Sequence, residues 1–565
     1  MRPAGKGEHD SLYFDYPHFP FVRPPELAGE AVRHRVAIVG AGPVGVTAAL
    51  ELARHGIASV VLDDKATVND GSRAICISRH SLEILQQLGV DAPFTAKGLG
   101  WTQGRTYFRD HEILRFRMPH SEQERYHPMY NLQQQYIERF LIDKAAASEL
   151  IELRWQSAVT GVSQDDDGVT LQVTTPEGDY RLECDYLLAA DGARSVVRKA
   201  FGLALHGEAY EGRYVIADVR LESDFPTERR AFFHSRAVPD STLLVHKQPD
   251  DIWRIDYQLG PDEDPEAEVA EARIRERVGR IVREVLAEEG DWELEWWSLY
   301  KAYTLALDDY RHGRVLFIGD SAHLVPIFGV RGLNNGLADA ANAGWKLAWV
   351  LKGLAPERLL DSYSPERRGA TLDVFANAGK STRFMTPPSR GYRLMRDAAL
   401  ALALHNDYAS GFADPRQVTP YTYAESPLTP DDDPGFAAGP IPGAPLVNRR
   451  LGENDFLLDH LGTGFNLLHF SATGGVEPAL QQRIEDFQMQ GIDLTLLRVA
   501  REPGGEGVLA DPDGSLFAGY GAEPGTAYLV RPDRHVAARW NSLDPAALDP
   551  ALNLAQGWAL EGERS

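Results

Sequence analysis

Short apolar runs separated by glycines define the first folded segment of the chain. Residues 36–39 (VAIV) form a run that predicts a buried strand of a parallel sheet. After the glycines, Val44, Ala48 and Leu52 recur at helical spacing, and a second apolar run covers 59–62. This pattern predicts a strand, a helix and a second strand in one βαβ unit.

Later patterns predict two further sheets and a long helix. Residues 150–190 alternate apolar and polar positions between turn signals, which is typical of a β-meander, and 205–300 are rich in Val, Phe, Tyr and Trp. Residues 313–353 return to a strand, a loop and a long helix. Pro and Asp cluster at 426–445 and predict a linker, after which apolar strands recur in a compact C-terminal unit.

Composition and charge narrow the classes of protein. The 565 residues exceed the roughly 250–300 of a single core, so two or three domains are expected. The net charge of −24 disfavours nucleic acid and anionic membrane surfaces as partners. No apolar stretch approaches the ~20 residues of a membrane span, and 10–25 do not resemble a signal peptide. The two cysteines, Cys76 and Cys184, match no metal or disulfide motif, so we expect a cytoplasmic protein without a metal site.

The segment GAGPVG follows the first strand and opens the first helix. Gly40, Gly42 and Gly45 fit G-x-G-x-x-G, in which glycines permit a tight turn, close backbone approach to a pyrophosphate, and helix–strand packing. Asp63 ends the second strand, where an acid accepts hydrogen bonds from a ribose diol; Asp64 is the alternative. The motif predicts a dinucleotide site but does not distinguish NAD(P) from FAD.

Two further segments make that distinction. Residues 319–353 (GDSAHLVPIFGVRGLNNGLADAANAGWKLAWVLKG) and 191–198 (DGARSVVR) resemble the second FAD signature and the Asp-Gly motif of group A FAD-dependent aromatic hydroxylases, the family of p-hydroxybenzoate hydroxylase. The resemblance covers about 33–400 and is strongest to the phenol and 3-(3-hydroxyphenyl)propionate hydroxylases. Segments after residue 446 resemble the thioredoxin-like domain of that branch, without its C-x-x-C pair.

The resemblance implies a set of FAD-binding residues. Asp320 would hold a ribityl hydroxyl, Pro326 would lie beside the flavin ring, and Arg73 near the pyrophosphate or flavin. Gln134 would contact the ribityl region, with Gln133 as the alternative in the sequence register. The implied cofactor-binding set is Gly40, Gly42, Pro43, Gly45, Asp63, Asp64, Arg73, Gln134, Asp191, Arg194, Gly319, Asp320, Pro326, Gly329, Arg331, Gly332, Leu333 and Asn334.

Arg331 departs from the Gln that many relatives carry at this position. A cation there could stabilise anionic reduced flavin, meet an anionic substrate, or belong to the surface. Because the chain is strongly acidic, a carboxylate-bearing substrate would need a local positive patch, for which Arg254 and Arg331 are candidates. The candidate residues on the substrate side, as base, relay or structural groups, are His234, His246, Tyr257 and Arg254.

The resemblance implies a monooxygenase that consumes NADPH or NADH as a transient reductant. FAD would form a C(4a)-hydroperoxide with dioxygen and hydroxylate a small phenolic substrate in a water-excluding pocket. The alternative is a flavoprotein of the same fold that performs epoxidation, Baeyer–Villiger oxidation or polyketide tailoring. A homodimer is left open.

The predicted fold is α/β, a Rossmann-like FAD-binding domain with an inserted mixed β-sheet substrate domain and a C-terminal thioredoxin-like α/β domain. The predicted boundaries are an N-terminal arm at 1–32, the FAD-binding domain at 33–204 and 301–425, the substrate-binding sheet at 205–300, the linker at 426–445 and the thioredoxin-like domain at 446–565.

Overall fold

The computed structural model describes residues 1–560 except 240, 327–329, 415–418, 503–504 and 506. The strands up to residue 189 are β1 (Arg33–Val39), β2 (Ser59–Leu62), β3 (Cys76–Ser78), β4 (Leu99–Trp101), β5 (Gln103–Phe108), β6 (His111–Arg117), β7 (Met129–Asn131), β8 (Ile151–Arg154), β9 (Ala158–Gln164), β10 (Val169–Thr175) and β11 (Gly178–Ala189). The helices of this part are α1 (Pro43–Arg54), α2 (Arg79–Gln87), α3 (Asp91–Lys97), α4 (Gln134–Ala146) and α5 (Val196–Ala200).

The middle of the chain adds eight strands and six helices among the described residues. The strands are β12 (His206–Arg220), β13 (Arg229–Phe233), β14 (Thr242–Lys247), β15 (Ile252–Gln258), β16 (Glu293–Ala306), β17 (Arg311–His312), β18 (Val315–Phe317) and β19 (His323–Leu324). The helices are α6 (Pro265–Glu268), α7 (Glu271–Glu284), α8 (Gly332–Leu351), α9 (Tyr363–Met385), α10 (Arg390–Ala403) and α11 (Asp407–Ser410).

The C-terminal part completes the chain. Its strands are β20 (Arg450–Gly452), β21 (Asp455–Phe456), β22 (Phe465–Ser471), β23 (Leu494–Ala500), β24 (Val508–Ala510), β25 (Ala527–Val530) and β26 (Val536–Trp540). Its helices are α12 (Pro478–Met489), α13 (Ser515–Tyr520) and α14 (Leu548–Ala555). Short 3₁₀ turns lie at Pro25–Ala28, Gly319–Ser321, Glu357–Ser362, Gly411–Ala413, Leu457–His460, Pro545–Ala547 and Trp558–Leu560.

The first sheet has a parallel core in the order β18, β11, β1, β2, β8, with β17 antiparallel at one edge. The strands of the predicted meander, β9 and β10, extend this sheet by antiparallel pairing on β11. Its central strands are buried on both faces, which explains their continuous apolar runs. The loops after β1 and β11 and the turn after β18 therefore meet at one edge of the sheet.

The second sheet is mixed and has the order β19, β16, β12, β15, β14, β13, β5, β6. It reaches beyond the predicted range 205–300, because β5 and β6, which precede it by about a hundred residues in the chain, pair onto β13. One face packs on α7 through a core that includes Val215, Ile255 and Tyr257. The opposite face carries Arg254 and Asp256, because side chains alternate along a strand.

The C-terminal sheet has the order β24, β23, β22, β25, β26. Strands β22, β23 and β24 are parallel, whereas β25 and β26 pair antiparallel. Helix α12 connects β22 to β23, and α14 follows β26, so the topology is βαβ followed by ββα with α13 inserted. The predicted linker packs along this unit, where Gly443 N donates to Val536 O at 2.8 Å.

The N-terminal arm lies on the body of the protein. Met1 N donates to Trp297 O at 2.7 Å, and Arg2 forms ion pairs with Asp70 and Glu295 at 2.7 and 2.6 Å. The arm therefore joins the second sheet to the loop that follows β2. Within the described part of the chain, no helix combines the length and the apolar character needed to cross a bilayer.

Candidate functional site

The glycine loop between β1 and α1 is shaped by close backbone contacts. A Cβ on Gly40, which has φ +106°, would lie 2.4 Å from Ala190 O, and one on Gly45 would lie 2.0 Å from Gly40 O. A Cβ on Gly42 would meet only open space. The loop thus packs against the end of the strand at residue 190 through Gly40 and Gly45. It leaves open space at Gly42, beside the N-terminus of α1 at Pro43.

Asp63 caps this loop from the end of β2. Ala41 N donates to Asp63 Oδ2 at 2.7 Å, while Lys65 N and Lys65 Nζ donate to Oδ1 at 3.0 and 2.9 Å. The Asp64 side chain is 70% exposed and points away into solvent. Of the two acids, Asp63 is therefore the one held against the glycine loop, and a ribose hydroxyl would share Oδ1 with Lys65.

The Asp-Gly segment after β11 carries an unsatisfied acid. Asp191 Oδ2 accepts from Val197 N at 3.0 Å, but Oδ1 is buried and has no hydrogen-bond partner among the described residues. Burial raises the pKa of the Asp191 carboxyl. Arg194 is exposed, whereas Arg198 is buried and donates to Ser321 O at 2.9 Å, which ties this segment to the turn after β18.

Asp320 and Arg73 interact electrostatically. Both side chains are accessible to solvent, yet the protein around Asp320 raises the pKa of its carboxyl by desolvation, opposed by the charges of His323 and Arg73. Gly319, with φ +61°, makes the turn that presents Asp320, and Gly319 N donates to Asp339 Oδ2 at 3.0 Å. Asp320 is thus a carboxyl that is accessible to solvent and surrounded by protein, and it can accept a hydrogen bond from a polar ligand.

Gln134 organises the Arg73 loop. Arg73 N and Ala74 N both donate to Gln134 Oε1 at 3.1 Å, and its amide donates to Glu138 Oε1 at 2.8 Å. The alternative, Gln133, is buried and donates to Pro249 O at 2.8 Å, away from this loop. Gln134 therefore lies at the loop that faces Asp320.

The start of α8 is fixed by side-chain contacts. Asn334 Oδ1 accepts from Ser78 N at 2.8 Å and Ser81 Oγ at 2.7 Å, so this side chain serves the packing of α8 on β3 and α2. Arg331 precedes the helix and is 6% exposed, which excludes the surface role considered for it. Burial lowers the pKa of its guanidinium. Pro326 is buried and Gly332 and Leu333 open the helix, while Gly329 lies outside the described residues.

Comparison with known proteins places the chain in a family. Residues 33–378 match the family described as FAD binding domain. The chain is 30% identical over 544 residues to the 12-dehydrotetracycline 5-monooxygenase/anhydrotetracycline 6-monooxygenase of Streptomyces rimosus subsp. rimosus, covering 93% of this chain and 99% of that protein. The chain belongs to the FAD-dependent monooxygenases.

Further relatives extend the comparison. The monooxygenase is 26% identical over 539 residues to the 3-(3-hydroxy-phenyl)propionate/3-hydroxycinnamic acid hydroxylase of Mycolicibacterium smegmatis, covering 92% of each. Its fold is similar to that of the flavin-dependent monooxygenase PieE in complex with FAD and substrate, with a TM-score of 0.76, 24% identity, and coverage of 93% and 98%. It is also similar to aklavinone-11 hydroxylase in a ternary complex with FAD and aklavinone, with a TM-score of 0.74, 24% identity, and coverage of 93% and 99%.

A cavity of about 270 Å³ lies between the second sheet of the monooxygenase and α9. Its walls include the aromatic and aliphatic side chains of Phe116, Ala231, Phe233, Phe384 and Met385. Phe116 and Val330, the latter two residues before α8, both pack against a cluster that includes Trp101 and Met118. That cluster connects one wall of the cavity to the segment of the second FAD signature, and the apolar walls are those expected of an aromatic-substrate pocket.

Three of the four predicted substrate-side residues are misplaced for contact with a ring in this cavity. His234 follows β13 and lies 3.0 Å from Asp397 on α10. Tyr257 points to the opposite face of the sheet, against α7, as strand alternation from Arg254 requires. Arg254 is 2% exposed and its guanidinium binds both oxygens of Asp218 at 2.8 and 2.9 Å, so its charge is neutralised.

Arg254 nevertheless contributes to the site indirectly. Its guanidinium also donates to the backbone carbonyls of Ser72 and Arg73. It thus connects the second sheet to the loop that faces Asp320. Arg254 therefore does not supply the positive patch that was expected for a substrate. It holds the backbone of the Arg73 loop instead.

His246 does lie on the face of the sheet that points toward the cavity, opposite Arg254 in the β14–β15 register. Two neighbours on that face, Arg229 and Asp256, did not appear in the sequence prediction. Arg229 lines the cavity, and burial raises the pKa of Asp256 to about 7. Charged residues inside otherwise apolar strands, RRAFF and IWRIDYQ, were the signal that could have revealed them.

Proposed function

We propose that this monooxygenase hydroxylates a phenolic aromatic ring with FAD, NAD(P)H and dioxygen. The observation that carries the proposal is that the accessible charged pair Asp320 and Arg73 lies in the part of the fold that matches the FAD-binding family, while the second sheet carries a largely apolar cavity. One region offers polar groups to a flavin cofactor, and the other offers apolar walls to an aromatic ring.

Several features of the site fit FAD. The open space at Gly42 and the N-terminus of α1 suit a pyrophosphate, the unsatisfied Asp191 Oδ1 suits a hydroxyl donor, and Asp320 suits a ribityl hydroxyl. Of the remaining predicted contacts, we retain the loop of Arg73 with Gln134 and the backbone of α8 from Gly332. Bound FAD would accept reducing equivalents from NAD(P)H and activate dioxygen.

The protein's own groups would orient the ring and exclude water. Phe233, Phe384 and Met385 enclose the cavity with apolar surface, which removes water from the reacting face. His246 is 4% exposed, and burial together with the charges of Arg229 and Arg254 lowers its pKa to about 3. His246 therefore remains neutral at physiological pH and can accept a hydrogen bond from a substrate hydroxyl.

A second candidate is the tailoring of a polycyclic polyketide. It is supported by the relatives named as tetracycline-pathway monooxygenases, including the 6-methylpretetramide 4-monooxygenase of Streptomyces rimosus at 27% identity. The cavity of about 270 Å³ is small for a drug-sized ligand, for which pockets are typically about 300–1,000 Å³, and favours one or two rings.

For the C-terminal unit we propose the thioredoxin-like assignment, supported by its βαβ–ββα topology. Cys76 and Cys184 both lie outside it, so it has no thiol pair for redox chemistry. Its proposed role is structural support of α8 and α9.

The test uses purified protein loaded with FAD. We expect NAD(P)H oxidation to accelerate with a phenol such as 3-(3-hydroxyphenyl)propionate and to yield a product heavier by one oxygen. Acceleration by anhydrotetracycline alone would instead support the second candidate. A ketone or an olefin that gains oxygen while neither phenol nor polycycle does would reject both, and so would a protein that cannot be loaded with FAD.

A further inference from the structure

Three buried polar atoms without hydrogen-bond partners lie on the cavity-facing side of the second sheet, one of them, Asp256 Oδ1, at 3.9 Å from Arg254 Nε. They are Nη1 of Arg229, Nδ1 of His246 and Oδ1 of Asp256, and none has a hydrogen-bond partner among the described residues. The three side chains are 5%, 4% and 7% exposed. Because unpaired buried polar atoms are costly, such a group of them indicates that something polar completes the site.

The strand register brings the three residues together. His246 pairs with Arg254 and Leu244 with Asp256 across β14 and β15. On the other side, Arg230 pairs with Val245, which brings Arg229 beside His246. All three therefore occupy adjacent positions on one face of three neighbouring strands.

Arg229 differs from several buried arginines of the fold that form close ion pairs with carboxylates. Arg254 is paired with Asp218, Arg367 with Asp339, and Arg531 with Glu366, each at 2.7–2.9 Å. The carboxylates of Asp256 and Asp414 act on Arg229 electrostatically, and burial lowers the pKa of its guanidinium. Nη1 of Arg229 has no hydrogen-bond acceptor among the described residues, so no hydrogen bond compensates for the burial of this atom.

The position of Arg229 indicates the kind of group that would pair with it. Arg229 lines the cavity together with Ala231 and Phe233 of the same strand, which supply apolar surface on the same face. An aromatic ring against these walls would bring an oxygen substituent to the guanidinium. A negatively charged oxygen gains most there, because a charge-assisted hydrogen bond is stronger than a neutral one and the Arg229 side chain is buried.

We propose that Arg229 binds an ionised oxygen of the aromatic substrate, either a carboxylate or an ionised hydroxyl, with His246 and Asp256 completing the polar end of the cavity. This inference rests on the proposed function, because it assumes an aromatic substrate in this cavity. It assigns to Arg229 the substrate-binding charge that the sequence suggested for Arg254 and Arg331.

The test measures binding to the FAD-loaded protein by calorimetry, with two pairs of probes. The carboxylate pair is 3-(3-hydroxyphenyl)propionate and its methyl ester, and the hydroxyl pair is pentafluorophenol and its methyl ether. We expect the wild type to prefer the acidic member of at least one pair by about 10- to 100-fold. The pair that shows the preference identifies the ionised group.

Arg229→Gln should reduce that preference to within about twofold, and Arg229→Lys should retain part of it. The matched control is Arg230→Gln, since Arg230 is the next residue on the strand and is paired with Glu228 at 2.7 Å. FAD content and circular dichroism verify that each variant is folded. If Arg229→Gln does not fold, Arg229→Lys becomes the test variant.

The proposal is overturned if Arg229→Gln keeps the preference, if Arg230→Gln loses it equally, or if the wild type prefers neither acidic probe. When the Gln variant is unfolded, a Lys variant with a clearly reduced preference supports the proposal, and a Lys variant with the wild-type preference overturns it. Failure of the proposed function would look different. In that case the acidic probe binds through Arg229, but NAD(P)H consumption yields no oxygenated product.

Discussion

Arg531 donates to both carboxylate oxygens of Glu366, from Nη1 to Oε1 at 2.7 Å and from Nη2 to Oε2 at 2.9 Å. Arg531 follows β25 of the C-terminal sheet, whereas Glu366 lies on α9. Lys346 of α8 also donates to Glu366 Oε2, at 2.7 Å, and all three side chains are buried. Buried charges thus fix the C-terminal unit to α8, which belongs to the second FAD signature, and to α9, which follows it.

The network of buried polar contacts extends from α9 to the turn that presents Asp320. Arg367, the next residue on α9, donates to Asp339 Oδ1 at 2.7 Å, and Asp339 Oδ2 accepts from Gly319 N at 3.0 Å and lies 2.7 Å from His323 Nε2. The C-terminal unit is therefore connected to the proposed flavin site through a short chain of buried ion pairs and hydrogen bonds.

Removing one member of the buried pair should destabilise the whole protein. Arg531→Met leaves the Glu366 charge without its principal partner, so we expect the free energy of unfolding to fall by roughly 3–5 kcal/mol and FAD retention to weaken. Urea unfolding and FAD content measure both effects. Arg483→Gln is the control, because it breaks the half-exposed pair with Asp549 in the same unit and should cost at most about 1 kcal/mol. Equal losses in the two variants would contradict the prediction.

Asp320→Asn should weaken FAD binding. Replacing the carboxylate with an amide removes the charge from a hydrogen bond to a ribityl hydroxyl, for which we expect about a tenfold higher dissociation constant. Fluorescence titration of apoprotein with FAD measures it. Asp308→Asn is the control, since its side chain is 76% exposed on the surface. Unchanged affinity in Asp320→Asn would remove Asp320 from the proposed site.

Asp256 should make stability depend on pH. Burial raises the pKa of its carboxyl to about 7, opposed by Arg254 and Arg229 and reinforced by Asp218, whereas the unfolded chain titrates near its ordinary value of about 4. Between these values the folded protein holds a proton that the unfolded chain has released, so the free energy of unfolding falls as pH rises from about 4 to 7.

Asp256→Asn should remove that decline, and the difference from wild type should grow across this window by on the order of 2–4 kcal/mol. Urea unfolding at pH 4.5 to 8 gives the comparison. The exposed Asp262→Asn serves as control and should run parallel to the wild type. If the curve for Asp256→Asn ran parallel to that of the wild type, the Asp256 carboxyl of the wild type would have its ordinary pKa in the folded protein.

Tyr257→Phe should leave catalysis intact, although the residue was a candidate for the substrate side. Tyr257 packs toward α7 on the far face of the sheet, and its hydroxyl is buried without a hydrogen-bond partner in the described structure. We expect turnover within about twofold of wild type and stability unchanged or about 1 kcal/mol higher. By contrast, His246→Phe should lower phenol-stimulated turnover at least about tenfold. A large loss of turnover in Tyr257→Phe would place the substrate elsewhere.

Local sequence patterns predicted the first unit of the fold. The apolar run at 36–39 forms β1, the glycines lie at its end, and Asp63 closes β2, because these features depend on contacts within about thirty residues. Alternation could also have placed Tyr257 and Arg254 on opposite faces of the sheet, since they lie three positions apart in the same strand. It could not show that Arg254 pairs with Asp218, which lies 36 residues away on β12.

The sequence by itself determined the family and predicted a set of flavin-binding residues, because glycine turns and strand ends are local and carry their chemistry in their spacing. Tertiary structure alone decided which buried charges are neutralised. Arg254 meets Asp218 and Arg531 meets Glu366, whereas Arg229 faces the cavity. The physical reason is that pairing depends on strand order and on the packing of helices from distant parts of the chain, which no spacing along the chain records.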